Sequence, residues 1–224
     1  MSTGAGRDLA LVIVGAGAHG RVALEVADLG GAASAWPAET GRVIFIDDAR
    51  TGVVAGIPVA GTIAWGLASL PVGETAWFVA IGDNDTRRQI SQRVREEGHR
   101  LTTLIHRAAF VAPDVVIGRG VLVCAGVVIG TGVVIEDDSV LNTSSTIDHD
   151  GRILTGAFIA PGVTAAGTVT IGRWAFVGTG ANVAPDVTIG DGAVIGAGSL
   201  VLDDVPPGVV AFGSPARPQR PIEQ

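Results

Sequence analysis

One histidine, His149, lies inside a long regular repeat that begins at Val111, and acidic residues flank it at Asp148 and Asp150. A carboxylate beside an imidazole fixes its tautomer and raises its basicity, as a general base requires. Acyl transfer needs such a base, because an amine or hydroxyl loses a proton as it attacks a thioester carbonyl. We therefore predict His149 as the catalytic base and Asp150 as its supporting carboxylate. A purely structural role for Asp150 is the alternative, since aspartate recurs at the same position of the repeat.

Other catalytic centres have less support in the repeat. Zinc catalysis generally needs three protein ligands, whereas the repeat supplies one histidine per chain, so we predict no metal site. The single cysteine, Cys124, has no histidine near it in the sequence or one coil away, and it permits no intramolecular disulfide. These observations leave general base catalysis at His149 as the favoured chemistry.

A second group of residues near the N-terminus is typical of a nucleotide site. Gly15, Gly17 and Gly20 form a G-x-G-x-x-G motif between an apolar run at residues 9–14 and a predicted helix, where backbone N–H groups favour a diphosphate. Asp47 and Asp48 end the next predicted strand, which begins at residue 42. They follow Gly20 by 27 and 28 residues, later than the ~20 typical of NAD sites. We expect a nucleotide attached to another group; NAD binding and a structural use of the glycines are the alternatives.

The repeat itself predicts the fold of the C-terminal half. Steps of six residues from Val111 to Val201 meet Val, Ile or Leu at 15 of 16 positions, and the fourth position of each hexad is Gly or Asp in 13 of 16. The aliphatic side chain points inward from a short strand, and the fourth position turns a corner with a positive φ. Three edges close a coil of 18 residues, so Gly167 lies one coil after His149. A glycine there leaves the backbone open to a ligand.

The N-terminal half alternates apolar strands with helices, which predicts a parallel α/β sheet. The predicted fold is thus an α/β Rossmann-like domain at residues 1–106, followed by an all-β left-handed parallel β-helix of hexapeptide repeats at residues 107–224. The segment from Asp203 is rich in proline, and we expect its prolines to end the strand pairing as a C-terminal cap.

Composition excludes several classes of protein. The net charge of −7 comes without a basic stripe, and nucleic-acid binding needs clustered cations. The N-terminus lacks the pattern of a signal peptide, and no apolar run approaches the ~18 residues of a membrane span. We predict a cytoplasmic protein that binds neither nucleic acid nor membrane.

Six segments of the chain, in order, resemble those of one enzyme family: GAGAHG, FIDD, GIPV, AIGDN, LNTSSTIDHD and GSPAR. The family is the bacterial sugar-nucleotide N-acetyltransferases, grouped with sialic-acid O-acetyltransferases. The resemblance spans nearly the whole chain, which makes it more specific than any single motif.

The resemblance implies a homotrimer whose active sites lie between adjacent β-helices. It implies that acetyl-CoA lies in that groove with its thioester oxygen facing the Gly167 amide, and that Asn142 contacts the acceptor sugar. The nucleotide of an amino-sugar acceptor would bind the Gly15, Gly17 and Gly20 loop with His19, Asp47 and Asp48. One departure is Phe158, which stands near the acetyl group where many members carry a second histidine.

The predicted function is acetyl transfer from acetyl-CoA to the amino group of a nucleotide-linked amino sugar. Three alternatives remain at this point: O-acetylation of a sugar such as a sialic acid, a nucleotide-sugar binding protein without catalysis, and an NAD-dependent oxidoreductase. The departure at Phe158 keeps the non-catalytic alternative open.

Overall fold

The computed structural model describes residues 10–28 and 43–222. The chain divides into two compact units, Met1–Leu104 and Ile105–Gln224, and the predicted division after residue 106 falls two residues away. Leu9 and Arg42, where two of the strands were predicted to begin, lie outside the described residues.

The N-terminal unit is built on a six-stranded sheet of order β3-β4-β2-β1-β5-β6, in which only the β3–β4 pair is antiparallel. Its elements are β1 (Ala10–Val14), α1 (Ala18–Asp28), β2 (Val43–Ile46), β3 (Val53–Val54), β4 (Ile57–Gly61), α2 (Ile63–Ser69), β5 (Thr75–Val79), α3 (Asn84–Glu96) and β6 (Arg100–Leu101).

Burial explains why β1 is an unbroken apolar run. Its residues 11–14 are fully buried, as expected for a central parallel strand that is covered on both faces. Alternate side chains, Val12 and Val14, join a core that includes Trp77 of β5 and Ile90 of α3. Because β1 has β2 on one side and β5 on the other, the strand order reverses there, and ligands of such sheets bind at that reversal beyond the carboxyl ends of the strands.

The C-terminal unit is a left-handed parallel β-helix, as predicted. Two-residue strands recur every six residues and form three faces. The first face contains β8 (Phe110–Val111), β11 (Val128–Ile129), β14 (Thr146–Ile147), β17 (Thr164–Ala165), β20 (Asn182–Val183) and β23 (Leu200–Val201). The second contains β9 (Val116–Ile117), β12 (Val134–Ile135), β15 (Arg152–Ile153), β18 (Thr170–Ile171) and β21 (Thr188–Ile189). The third contains β7 (Leu104–Ile105), β10 (Leu122–Val123), β13 (Val140–Leu141), β16 (Phe158–Ile159), β19 (Phe176–Val177) and β22 (Val194–Ile195).

Up to the last coil, each strand pairs with the strand 18 residues later, as the coil length requires; Ile147, for example, pairs with Ala165, and Ala165 with Val183. These inward residues are almost fully buried. Hydrophobic burial, which is worth roughly 25 cal/mol per Å² of apolar surface, therefore runs as a continuous column along the helix axis. The column holds every corner at a fixed height.

The cap differs from the prediction. Pairing continues past Pro206 and Pro207, because β24 (Val209–Gly213) pairs in parallel with β22 and in antiparallel fashion with β25 (Ala216–Pro221). The expectation that proline ends the pairing was therefore wrong in position. Pro218 and Pro221 lie in β25, which is the outermost strand of its sheet, where a missing N–H removes no bond to a further strand.

In the described parts of the chain, no helix combines the length and apolar character needed to cross a membrane.

Candidate active site

His149 lies at the corner between β14 and β15, and its imidazole is held from one side. Its Nδ1 is 2.9 Å from Oδ2 of Asp150, and its backbone N–H donates to Oδ1 of Asp148 at 2.8 Å. The imidazole is 53% exposed, and among the described residues its Nε2 has no hydrogen-bond partner. If Nδ1–H donates to the carboxylate, Nε2 presents its lone pair outward, which is the tautomer a general base needs.

Gly167 lies directly against the imidazole, as the 18-residue period predicts. A Cβ built on Gly167 would be 2.5 Å from both Cε1 and Nε2 of His149, so only glycine leaves room for the ring in this position. The carbonyl oxygen of Gly167 accepts a hydrogen bond from the Asp186 N–H at 3.1 Å and lies 2.6 Å from the Thr168 hydroxyl oxygen. Within the described residues its N–H has no acceptor. A donor without a partner beside a base is suited to bind an oxyanion.

Carboxylates raise the basicity of His149. The hydrogen bond that the Asp150 carboxylate accepts from Nδ1 and the negative charge of Asp148 raise the pKa of His149. Slight desolvation opposes this rise, whereas the charges of Asp150 and Asp186 add to it. Asp150 also fills the left-handed position of the turn, with a φ of 57°, so its role as supporting carboxylate stays a prediction beside its role as a corner residue.

A pH profile tests the link between Asp150 and His149. Only the neutral imidazole accepts a proton, so kcat/KM should fall as the pH drops through the raised pKa of His149. Asp150→Asn removes the largest cause of the rise, and we expect its acid limb at lower pH than that of the wild type. The measurement is kcat/KM between about pH 5 and 9. The control is Asp191→Asn, which removes an exposed carboxylate at another corner. If the acid limb of the kcat/KM profile lies at the same pH in Asp150→Asn and in the wild type, the link is excluded.

The predicted nucleotide residues meet at the carboxyl edge of the N-terminal sheet. Asp47 Oδ2 accepts the Ala16 N–H at 2.7 Å, which joins the end of β2 to the glycine-rich loop. Partial burial alone would raise the pKa of Asp47, but the Ala16, Ala49 and Arg50 amides that donate to it lower the pKa overall. Gly20 is required for packing, because a Cβ there would lie 2.0 Å from the Gly15 oxygen.

The remaining residues of this edge differ in how firmly they are held. Asp48 accepts the Ile63 N–H at the start of α2 at 2.9 Å, whereas a Cβ on Gly17 would meet nothing within 4 Å. His19 packs against Gly82, and burial together with the positive charge of Arg87 lowers the pKa of His19. Both effects favour the neutral form of His19, in which one ring nitrogen is a donor and the other an acceptor.

Asn142 and Phe158 lie on other parts of the β-helix than the His149 corner. Asn142 follows β13 at the corner between the third and first faces, where its side-chain oxygen accepts the Thr143 N–H at 2.8 Å. Phe158 belongs to β16 on the third face; it is 5% exposed and its ring stacks on Phe176 with centroids 5.2 Å apart. The roles predicted for both residues in ligand binding stay predictions.

Three residues near the candidate sites, Thr168, Asp186 and Arg87, were not predicted from the sequence. Thr168 and Asp186 follow Asp150 by 18 and 36 residues, so the coil length that found Gly167 also points to them. Arg87 is 2% exposed and bonds to the Ile81 carbonyl and the Asn84 side chain. An arginine in a polar helix gives no sequence signal of burial.

Comparison with known proteins identifies both units. The N-terminal unit matches the PglD N-terminal domain over residues 10–94, and the β-helix matches the bacterial transferase hexapeptide family, six repeats, over residues 168–203. The chain is 36% identical to the acetyltransferase domain of PglB from Neisseria gonorrhoeae, with 96% of this chain and 100% of that chain covered and a TM-score of 0.89. The chain belongs to the sugar-nucleotide N-acetyltransferase family. The resemblance in its sequence is thereby confirmed.

Two other solved structures are similar along nearly the whole chain. PerB from Caulobacter crescentus, in complex with CoA and GDP-perosamine, is 36% identical over 94% of this chain and 97% of its own, with a TM-score of 0.86. WeeI from Acinetobacter baumannii is 25% identical over 94% of this chain and 100% of its own, with a TM-score of 0.84. Family membership thus extends over both units, including the predicted catalytic corner.

Proposed function

We propose that this chain transfers the acetyl group of acetyl-CoA to the amino group of a nucleotide-linked amino sugar. The observation that carries the proposal is the His149 corner, where the imidazole that Asp150 orients lies next to Gly167, whose backbone N–H has no acceptor among the described residues. A base and an oxyanion donor side by side are what aminolysis of a thioester needs.

In the proposed mechanism, the amine nitrogen attacks the thioester carbonyl carbon, and Nε2 of His149 takes the proton that the nitrogen loses. The carbonyl oxygen becomes an oxyanion, which the Gly167 N–H stabilises. The intermediate then collapses, the carbon–sulfur bond breaks, and the thiolate of CoA takes a proton from the imidazolium. The products are an amide and free CoA, and His149 is neutral again.

The related enzymes favour nitrogen over oxygen as the acceptor atom. The PglB domain has also been solved with acetyl-CoA, at 37% identity and with 93% of this chain covered, and PerB is described with an amino-sugar nucleotide. These relatives disfavour the O-acetyl and non-catalytic alternatives. Phe158 is then proposed to pack against the acyl donor as an apolar surface, since its side chain has no ionisable group that could transfer a proton. Because acetyl-CoA is the donor, we propose a cytoplasmic reaction.

The N-terminal unit is proposed to bind the nucleotide of the acceptor. Four of its residues lie at the edge where such sheets bind ligands. They are Gly17, beside which there is open space, His19, Asp47 and Asp48. Asn142 is proposed to contact the sugar.

The assembly is proposed to be a homotrimer with its active sites between β-helices. The support is that the His149 imidazole and the Asp150 side chain are 53% and 64% exposed in one chain. A backbone N–H stabilises an oxyanion strongly only where water is excluded, and the corner of a single chain is open to water. A neighbouring copy would supply that exclusion. Sedimentation equilibrium of the purified protein tests the trimer against monomer and dimer.

The activity is tested by release of free CoA thiol from acetyl-CoA with UDP-, GDP- and dTDP-linked amino sugars. The single cysteine, Cys124, is 1% exposed, so the protein itself adds little to the thiol signal. Turnover with one amino-sugar nucleotide, together with a product that is heavier by one acetyl group on nitrogen, supports the proposal. Turnover only with hydroxyl acceptors, or none with any acceptor, would contradict it.

A further inference from the structure

The corner of His149 carries left-handed residues other than glycine in three successive coils: Asp150, Thr168 and Asp186, with φ of 57°, 60° and 62°. The other two corners mix glycine with other residues in this conformation, namely Asp138 and Trp174 after second-face strands and Ser144 after a third-face strand. Aspartate tolerates the left-handed conformation, whereas a β-branched residue such as Thr168 is disfavoured there. The strain at Thr168 directs attention to the contacts of its side chain.

Hydrogen bonds connect these three side chains to the candidate active site. The Thr168 hydroxyl has one proton and two acceptors within reach, the Gly167 carbonyl oxygen at 2.6 Å and the Asp186 carboxylate, so it donates to one of them at a time. The Thr168 N–H donates to the His149 carbonyl at 2.9 Å, and the Asp186 N–H donates to the Gly167 carbonyl at 3.1 Å. Backbone bonds of this kind recur at other corners of the β-helix, and the contact between the Thr168 hydroxyl and the Asp186 carboxylate adds to them here.

Charge acts on the imidazole from the same direction. The charged groups that act on His149 are Asp148 and Asp150 on its own turn and Asp186 two coils later. The coil before it presents Gly130 and Gly132 against this turn, and neither carries charge. Asp186 is thus the source of negative charge that does not belong to the turn of His149 itself.

We propose that Asp186 is a positioning residue of the active site, whose carboxylate holds the Thr168 hydroxyl beside the Gly167 carbonyl and strengthens His149 as a base. The inference rests on the proposed function for its kinetic consequence. The contacts among Thr168, Asp186 and Gly167 do not depend on the identity of the substrate. Thr168 provides the geometric part, and the Asp186 carboxylate provides both geometry and charge.

The test is a titration of His149 by NMR in ¹³C-histidine-labelled protein, with the signal assigned by its loss in His149→Ala. Asp186→Asn keeps the size of the side chain, and asparagine tolerates the left-handed conformation. We expect the His149 titration in Asp186→Asn, and the acid limb of its kcat/KM profile, to move to lower pH. Asp191→Asn removes the same charge at a corner whose carboxylate does not act on His149, and it should leave both unchanged.

Thr168 separates geometry from charge. Thr168→Ala should lower the plateau of kcat/KM about two- to tenfold, as the loss of one hydrogen bond would, and Thr168→Ser should restore it. An unchanged His149 titration in Asp186→Asn would overturn the proposal and leave Asp186 as a plain corner residue. If the His149 titration moves to lower pH in Asp186→Asn but no amino sugar is acetylated, the role of Asp186 is supported and the proposed function fails.

Discussion

His149→Ala should lower kcat for acetyl transfer by about 10²- to 10⁴-fold, the range that a positioned general base contributes. The physical reason is that the amine nitrogen acquires a positive charge as it attacks, and without Nε2 no group at the corner removes its proton. Asp150 cannot replace the imidazole, since its carboxylate is held against Nδ1 at 2.9 Å rather than in the outward position of Nε2. The measurement is kcat and KM from CoA release at saturating acetyl-CoA.

Binding measurements show whether the loss belongs to the chemical step. Calorimetry of His149→Ala with CoA and with the nucleotide acceptor should give dissociation constants near those of the wild type, because the imidazole is assigned to proton transfer. A variant that keeps activity within threefold of the wild type would remove His149 from the mechanism. A variant that loses activity only because it no longer binds CoA would reassign His149 to substrate binding.

Gly167→Ala should cost about 10²-fold in kcat, because displacement of a catalytic group by about 1 Å has effects of that size. The added Cβ would lie 2.5 Å from two atoms of the His149 ring, so the imidazole must turn away. The backbone at Gly167 is not in the left-handed region, so alanine should be accepted by the fold and the amide N–H retained. We therefore expect an unchanged melting temperature with a strongly reduced kcat.

The double variant His149→Ala/Gly167→Ala identifies the cause of that loss. Without an imidazole to displace, the alanine at residue 167 should add little to the effect of His149→Ala, so the two losses should be far from additive. Full additivity of the two losses would instead mean that the Cβ obstructs the acyl donor, and the contact between Gly167 and His149 would then be irrelevant to catalysis.

The contact between Gly167 and His149 at the candidate catalytic corner could be predicted from the sequence, because one number governs the β-helix. A coil of 18 residues without insertions predicts that Gly167 lies against His149, and the two residues are in contact. The same reasoning applied to Asp150 leads to Thr168 and Asp186. Side-chain rotamers do not follow from the period, so the contact between the Thr168 hydroxyl and the Asp186 carboxylate could not be predicted from it.

The N-terminal unit was less predictable in detail. Alternation of strands and helices is enough for the fold class, and the glycine motif is enough for the loop between β1 and α1. The bond from Ala16 to Asp47 and the burial of Arg87 depend on how separate loops meet at one sheet edge, which no local pattern encodes. The outermost strand β25 was also missed, because prolines are tolerated at a sheet edge that the sequence does not reveal.

The order of the coils has a consequence for motion at the His149 corner. In a solenoid each coil contacts only its neighbours, so local unfolding starts at the ends and reaches the interior last. The strand that leads into His149, β14, is the third of six on its face, and paired coils lie on both sides of it. Exchange of the hydrogen-bonded strand amides should therefore be slowest in β14 and the strands paired with it. A half-exposed imidazole thus owes its fixed position to its depth along the stack, and the ends of the β-helix can fray without disturbing it.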